Sequence, residues 1–290
     1  LLDPTLARSD YGVRATDANG QAIVLSTELP VQIDHAEARA VGHTTIQEGQ
    51  ETYVVADWSA ERMHPVASYQ GDRRLWAVRT FWRDWIDRLP YHGRYRDTVE
   101  RSLLALKLLI YEPTGAIVAA PTMSIPEWPG GARNWDYRYS WVRDSAFILR
   151  ALFQAEYTAE GTAYFDWLLG HAFDGDGLQV MYTVNGNNHL PERNLPLRGY
   201  RSSTPVRVGN GAAHQFQLDV YGSLLDAALQ YDRQGGLLTI TEWEKLSALA
   251  REIMERWREK LWSAGASPTR ASGRHAARSG TTPTPRYGPG

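Results

Sequence analysis

Apolar residues spaced three and four positions apart recur from residue 95 onward in this 290-residue chain. Such spacing predicts amphipathic helices, because an α-helix brings every third or fourth side chain to one face. The first series consists of Tyr95, Val99, Leu103, Leu106 and Ile110. Further helices are predicted at 140–155, 160–171 and 212–231, and a last one opens at the capping pattern Thr241-x-x-Glu244. The chain is therefore predicted to be mainly α.

The first 70 residues have a different, β-rich pattern. Residues 11–16 and 22–26 flank the sequence Asp-Ala-Asn-Gly, which is typical of a hairpin turn, and residues 52–55 form another strand candidate. Helical spacing begins at Gly71 and continues to Arg88. We therefore predict three ordered segments: a β-rich part at 1–70, a connecting helix at 71–94, and a helical part at 95–262.

The composition excludes several classes of protein. The absence of cysteine rules out disulfides, thiolate catalysis and Cys-ligated metals. The eight histidines show no metal-ligand spacing, so a metal site is not expected. A net charge of −2 without a basic stripe argues against a nucleic-acid partner. The sequence contains no run of about 18 apolar residues, so it predicts no membrane-spanning helix.

The segment at 134–144 concentrates more aromatic, charged and amide side chains than any other stretch of the chain. It reads Asn-Trp-Asp-Tyr-Arg-Tyr-Ser-Trp-Val-Arg-Asp. Aromatic faces beside carboxylates and guanidinium groups suit a sugar, whose C–H face packs on rings and whose hydroxyls need charged donors and acceptors. The alternative is that these aromatics only pack in a large core at the start of a helix.

Several carboxylates could serve catalysis at such a site. Glycoside hydrolysis requires two carboxyl groups that flank the scissile bond. The candidates near the aromatic segment are Glu127, Asp136, Asp144, Glu192 and Asp219. Asp144 follows Arg143 directly, and a carboxylate beside an arginine is better suited to accept hydrogen bonds from hydroxyls than to donate a proton. For Glu127 and Asp219 a helix cap or a surface ion pair is the favoured interpretation.

Four stretches together resemble glycoside hydrolase family 15, and most closely its bacterial trehalase-like branch. They are Ala-Ala-Pro-Thr-Met-Ser-Ile-Pro-Glu at 119–127, the aromatic segment extended to Ser145, Gly-Tyr-Arg-Ser-Ser-Thr-Pro-Val-Arg-Val-Gly-Asn at 199–210, and Gln-Leu-Asp-Val-Tyr-Gly at 217–222. The resemblance runs from about residue 75 to residue 262, with the motifs in the family's order.

This resemblance implies the first part of an (α/α)6 toroid, preceded by the end of an N-terminal β-sandwich domain. It also implies a cytoplasmic, cofactor-free enzyme that hydrolyses an α-glucosidic bond with inversion. Its substrate would be trehalose, a maltooligosaccharide or an isomaltooligosaccharide. By position, Arg143 and Asp144 correspond to the pair that holds the outer hydroxyls of the glucose. Tyr137 and Trp141 correspond to aromatic walls of that subsite, and Arg207 to the neighbouring subsite.

The catalytic residues of the family find no counterpart here. The resemblance places its general acid and general base, both glutamates, beyond Trp262. In this chain residues 263–290 contain no acid and no Leu, Ile, Val or Phe, which predicts a disordered or out-of-frame tail. We therefore expect a catalytically incomplete fragment of a hydrolase. The alternatives are a non-catalytic carbohydrate-binding or interaction protein and one half of a split hydrolase.

Overall fold

The computed structural model describes residues 4–58, 62–172 and 177–263. The chain divides into two compact units, Leu1–Arg88 and Leu89–Gly290. Six α-helices lie in the described residues, which confirms the prediction of a mainly α chain. The helix after residue 71 belongs to the first of these units. The finer division at 1–70, 71–94 and 95–262 stays a prediction.

The described residues of the first unit form two small sheets and one α-helix. Its elements are β1 (Thr5–Ser9), β2 (Gly12–Thr16), β3 (Ala22–Thr27), β4 (Val31–Asp34), β5 (Arg39–Gly42), β6 (Val54–Trp58) and α1 (Gly71–Ile86). Four antiparallel strands form a sheet in the order β1-β2-β3-β6, and β4 pairs with β5. Leu6, Val13 and Val31 form a small core.

The hairpin predicted around residues 17–20 is present between β2 and β3. Thr16 pairs with Ala22, and the Oδ1 atom of Asp17 accepts hydrogen bonds of 2.9 Å from the amides of Asn19 and Gln21. The aspartate side chain therefore satisfies the amides that the turn leaves without main-chain partners. That this sheet is part of a β-sandwich stays a prediction.

Helices dominate the second unit. They are α2 (Arg96–Leu108), α3 (Val142–Gln154), α4 (Thr158–His171), α5 (Leu218–Arg233) and α6 (Ile240–Ser263). Helix α3 packs against both α4 and α5, and α5 packs against α6. Leu149 and Leu152 of α3, Leu168 of α4 and Leu224 of α5 are fully buried. Apolar side chains of α3, α4 and α5 therefore form part of the core of this unit.

The contact between α3 and α4 is close because of a glycine. A Cβ atom on Gly161 would lie 2.3 Å from Cε1 of Phe153, nearer than real Cβ contacts come. Phe153 is buried against this position. A side chain at residue 161 would therefore separate the two helices, so the glycine determines their distance.

Short strands connect the helices of this unit. They are β7 (Ile110–Tyr111), β8 (Ala116–Ile117), β9 (Ser140–Trp141), β10 (Met181–Tyr182), β11 (Arg193–Leu195) and β12 (Val206–Val208). Strand β7 pairs with β8, β9 with β10, and β11 with β12. The described residues between α4 and α5 contain three of these strands, β10, β11 and β12.

The start of α6 corrects the predicted capping pattern. The hydroxyl oxygen of Thr239 accepts a hydrogen bond from the amide of Glu242, and the Glu242 carboxylate accepts 2.7 Å and 2.8 Å bonds from the Thr239 amide and hydroxyl. The capping box is therefore Thr239…Glu242, and the prediction of Thr241…Glu244 was wrong. Both pairs fit the pattern, but α6 begins at Ile240, so Thr241 lies inside the helix.

The end of α6 is also the end of the described chain. The tail predicted for 263–290 lies, after Ser263, outside the described residues. Within the described residues, no helix is both long enough and apolar enough to cross a membrane. The cytoplasmic location stays a prediction.

The corrected cap can be tested by substitution. We expect Thr239→Ala to lower the free energy of unfolding by about 1 kcal/mol, because the Glu242 amide loses its acceptor. Thr241→Ala is the matched control, since this exposed helical position gains from alanine's higher helix propensity. Denaturant unfolding of both variants gives the comparison. A larger loss for Thr241→Ala would contradict the assigned cap.

Candidate functional site

The aromatic segment is an extended strand-like stretch that leads into a helix. Its main chain pairs with residues 119–124: the Ser124 amide donates to the Trp135 carbonyl at 2.9 Å, and the Tyr137 amide donates to the Thr122 carbonyl at 3.2 Å. Side chains alternate along the stretch, with Asn134 and Asp136 fully buried and Trp135 and Tyr137 partly exposed. The partly exposed aromatics therefore lie on the face opposite the buried polar groups.

Tyr137 and Trp141 form one aromatic pair. Their ring centroids are 5.8 Å apart and their planes are tilted by 40°. Trp141 is buried, at 8% exposure, whereas Tyr137 remains partly accessible. Burial raises the pKa of Tyr137, and the charges of Glu127 and Asp144 raise it further. The phenol is therefore a neutral hydrogen-bond donor at neutral pH, close to two carboxylates.

Arg143 lies in the first turn of α3 and is held by α5. Its Nη1 atom donates to Oε1 of Gln217 at 3.0 Å and to Oδ2 of Asp219 at 2.9 Å. Its Nη2 atom is 3.6 Å from Oδ2 of Asp144, the next residue in the chain. The guanidinium group is thereby placed between two carboxylates, and the Arg143–Asp144 pair is fixed at a helix N-terminus, where an acidic residue is favoured.

The two oxygens of Asp144 differ in environment. Oδ2 is inaccessible to solvent and makes no hydrogen bond, although the side chain as a whole is 44% exposed. The accessible part of the carboxylate is therefore its other oxygen. An exposed carboxylate oxygen beside a guanidinium group offers an acceptor and a donor together, which is what adjacent sugar hydroxyls require.

Arg207, on β12, lies in a separate part of the site. Its guanidinium group stacks over the Trp135 ring, with 4.6 Å from Cζ to the centroid, and its Nε is 3.4 Å from Oε1 of Glu192. Its main chain is bound on both sides by Ser124, whose Oγ accepts from the Arg207 amide at 2.6 Å and donates to its carbonyl at 2.9 Å. In the described residues no hydrogen bond or ion pair joins Arg207 to Arg143 or Asp144.

The four sequence motifs meet in this region although they are distant in the chain. Ser124 binds Arg207, and the Nδ2 atom of Asn134 donates to the Pro205 carbonyl at 3.0 Å. Arg143 joins the second motif to the fourth through Gln217 and Asp219. The structure thus brings Tyr137 next to Trp141 and Arg143 next to Asp144.

Three residues of this arrangement were not predicted as part of the site. Ser124, Asn134 and Gln217 each lie within one of the motifs, which is the only sequence signal that points to them. Their polar atoms bind residues more than 70 positions away. Such long-range pairing has no local periodicity, so spacing rules do not detect it.

Each of the five candidate carboxylates has an arginine within ion-pair distance. The pairs are Glu127–Arg133 at 3.6 Å, Asp136–Arg138 at 2.8 Å, Asp144–Arg143 at 3.6 Å, Glu192–Arg207 at 3.4 Å and Asp219–Arg143 at 2.9 Å. In the part of the chain that the structure describes, no group of three acidic or histidine side chains could hold a metal ion.

The contact of Ser124 with Arg207 gives a prediction about stability. We expect Ser124→Ala to lower the free energy of unfolding by about 1–3 kcal/mol, because the Arg207 amide loses its partner in a mostly buried position. Ser102→Ala on α2 is the control, since that exposed hydroxyl only binds the Thr98 carbonyl of its own helix and should change stability by no more than about 0.5 kcal/mol. Equal losses for the two variants would contradict the assigned role of Ser124.

Comparison with known proteins gives one family and a group of relatives. The family model described as glycosyl hydrolases family 15 matches residues 93–264. A trehalase of Thermoplasma volcanium is 32% identical over 268 residues, which are 91% of this chain and 42% of the relative. A trehalase of Mycolicibacterium smegmatis is 37% identical over 254 residues, which are 84% of this chain and 37% of the relative.

A third relative agrees with these two. A trehalase of Mycobacterium tuberculosis is 36% identical over 274 residues, which are 89% of this chain and 40% of the relative. The chain therefore spans less than half the length of each of these relatives. No solved structure matches the chain.

Proposed function

The chain belongs to the glycosyl hydrolases of family 15, and on this premise we propose that residues 137–144 form part of a subsite for the glucose unit of an α-glucoside. The observation that carries the proposal is the position of Arg143. Its guanidinium group is held by Gln217 and Asp219 and lies beside the Asp144 carboxylate, at the start of the helix that follows the Tyr137–Trp141 pair.

Each side chain has a role in this proposal. The accessible oxygen of Asp144 accepts a hydrogen bond from one sugar hydroxyl, and a guanidinium N–H of Arg143 donates to its neighbour. Tyr137 and Trp141 provide the apolar face against which the pyranose ring packs. Arg207 and the Trp135 ring beneath it belong to the adjacent subsite. A glucose ring offers both an apolar face and vicinal hydroxyls, so it matches this combination of groups.

The reaction we propose for the whole protein is hydrolysis of an α-glucosidic bond with inversion. Trehalose is the favoured substrate, because the relatives carry the name trehalase. Helices α2–α6 would be part of an (α/α)6 toroid and the first unit part of a β-sandwich. Inversion needs an acid at the glycosidic oxygen and a base for water on the opposite side of the ring. Neither role is assigned to a residue described here.

For this chain by itself we propose sugar binding without hydrolysis. The support is the correspondence by position, which places the family's general acid and general base beyond Trp262, where residues 263–290 contain neither Asp nor Glu. The same observation favours the second candidate function, a carbohydrate-binding protein without catalysis. The two differ only in whether a further polypeptide segment supplies the acid and the base.

The binding proposal predicts the effect of one isosteric substitution. Asp144→Asn should raise the dissociation constant for trehalose at least about tenfold, because a hydrogen bond to a charged group is lost. Asp226→Asn is the control, since it makes the same chemical change at an exposed position of α5. Isothermal titration calorimetry with trehalose, maltose and isomaltose measures both variants. Unchanged affinity in Asp144→Asn would contradict the assigned subsite.

The absence of hydrolysis is tested on the purified 290-residue chain. Glucose release from trehalose, maltose and maltotriose should stay far below about 1 s⁻¹, the lower end of ordinary enzyme turnover. Two positioned acid–base groups are each typically responsible for a factor of about 10²–10⁴ in rate. Turnover in the enzymatic range would overturn the proposal. Glu127→Gln and Glu192→Gln would then show which carboxylate donates the proton.

A further inference from the structure

Asp136 carries a fully buried carboxylate in the middle of the aromatic segment. A buried charge is tolerated only where it is paired and its oxygens receive hydrogen bonds. Oδ1 accepts from the main-chain amide of Arg138 at 3.3 Å and from its Nε at 2.8 Å. Oδ2 accepts from Nη2 of Arg138 at 2.8 Å, from the Tyr139 hydroxyl at 3.2 Å and from the Gly209 amide at 3.3 Å. Each of these five hydrogen bonds is therefore donated to the Asp136 carboxylate.

One of these partners comes from a distant part of the chain. Gly209 follows β12, and its amide also lies 3.1 Å from the Tyr139 hydroxyl. Asn210, the next residue, donates from Nδ2 to the main-chain oxygen of Asp136 at 3.3 Å. Both the side chain and the main chain of Asp136 therefore bind the end of β12.

The conformation of Gly209 makes this contact possible. Its φ is +83°, and a Cβ atom there would lie 2.0 Å from the Pro191 carbonyl oxygen. Only glycine combines this left-handed conformation with such a close approach. Glycine is therefore required at position 209. The amide of Gly209 donates to the Asp136 carboxylate.

Arg207 lies two residues before Gly209, on the strand that Asp136 holds at one end. Its side chain stacks on Trp135, the residue that precedes Asp136. Asp136 is thus connected to both residues of the Arg207–Trp135 contact. Trp135 is its neighbour in the chain, and the Gly209 amide links it to β12, which carries Arg207. The hydrogen bonds to Asp136 also raise the pKa of Arg138, so that guanidinium group remains a permanent donor.

We infer that Asp136 is a positioning residue of the sugar site, whose buried carboxylate sets the distance between the aromatic segment and Arg207. The inference rests on the proposed function, in which Tyr137 and Arg207 contact adjacent sugar units. Asp136 itself faces away from the sugar. Its effect on binding is exerted through the strand it holds.

The substitution Asp136→Asn removes this function with little change in shape. An amide presents an NH2 group in place of one oxygen. If it replaces Oδ1, two Arg138 donors lose their acceptor, and if it replaces Oδ2, donors on Arg138, Tyr139 and Gly209 lose theirs. In either orientation the end of β12 is no longer fixed by a fully satisfied carboxylate.

Two measurements on the complete chain test the inference. Hydrogen exchange of the main-chain amides at 206–210 should become faster in Asp136→Asn, and the dissociation constant for trehalose should rise about tenfold, as for the loss of one charged hydrogen bond. Tyr139→Phe is a milder variant that keeps the carboxylate and removes one of its donors. It should shift both measurements in the same direction, and it serves if Asp136→Asn does not fold.

Glu160→Gln is the matched control for a merely structural role. Glu160 forms a mostly buried ion pair with Lys107 at 3.0 Å, so this variant also neutralises a buried acid. It should lower the melting temperature while leaving trehalose affinity and exchange at 206–210 unchanged. If Asp136→Asn and Tyr139→Phe behave like this control, the inference is overturned. If the unsubstituted chain binds no trehalose, the proposed function fails, and exchange at 206–210 alone decides whether Asp136 fixes β12.

Discussion

The packing of α3 against α5 is the contact on which the candidate site depends. Leu149 of α3 and Leu224 of α5 are fully buried, and burial of one such side chain is worth about 1.5–3 kcal/mol. The ion pair of Arg143 with Asp219 lies at the same helix contact, with side chains 37% and 56% exposed, and exposed pairs contribute only about 0–1 kcal/mol. Apolar burial therefore places the helices, and the charged groups take positions that the packing has already determined.

Two acids of this region, Asp219 paired with Arg143 and Asp136 paired with Arg138, lie in different physical environments. Asp219 is half exposed, so water competes for its oxygens and the pair it makes is weakly constrained. Asp136 is fully buried and depends on five hydrogen bonds, since an incompletely satisfied buried charge is strongly unfavourable. A site that combines the two has a rigid part near Trp135 and Arg207 and a more adaptable part near Arg143.

Local signals in the sequence predicted most of the helical part of the fold. The spacing of Leu103 and Leu106 located α2, and the motifs around Arg143 identified the family. The cap of α6 was misplaced because Thr239 and Thr241 both precede a glutamate by three residues, and only the helix start at Ile240 separates them. The Ser124–Arg207 contact spans 83 residues, and no periodicity relates such positions. Of the site, Arg143, Asp144, Tyr137 and Trp141 were named from sequence, and Asp219 was expected as an ion pair, whereas Gln217 beside Arg143 and Ser124 beside Arg207 were not.

The alternation of buried and exposed side chains along residues 134–137 has a consequence for how this segment can vary. Its main chain pairs with residues 119–124 in one register, with Asp136 on the buried side and Tyr137 on the other. Insertion or deletion of a single residue would exchange the two sides, exposing the carboxylate and burying the aromatic ring. A substitution in this segment changes one side chain, whereas a change in the length of the segment reverses the orientation of all that follow. Related chains that preserve this site should therefore keep the number of residues from 134 to 145 more strictly than the identity of the residues within that stretch.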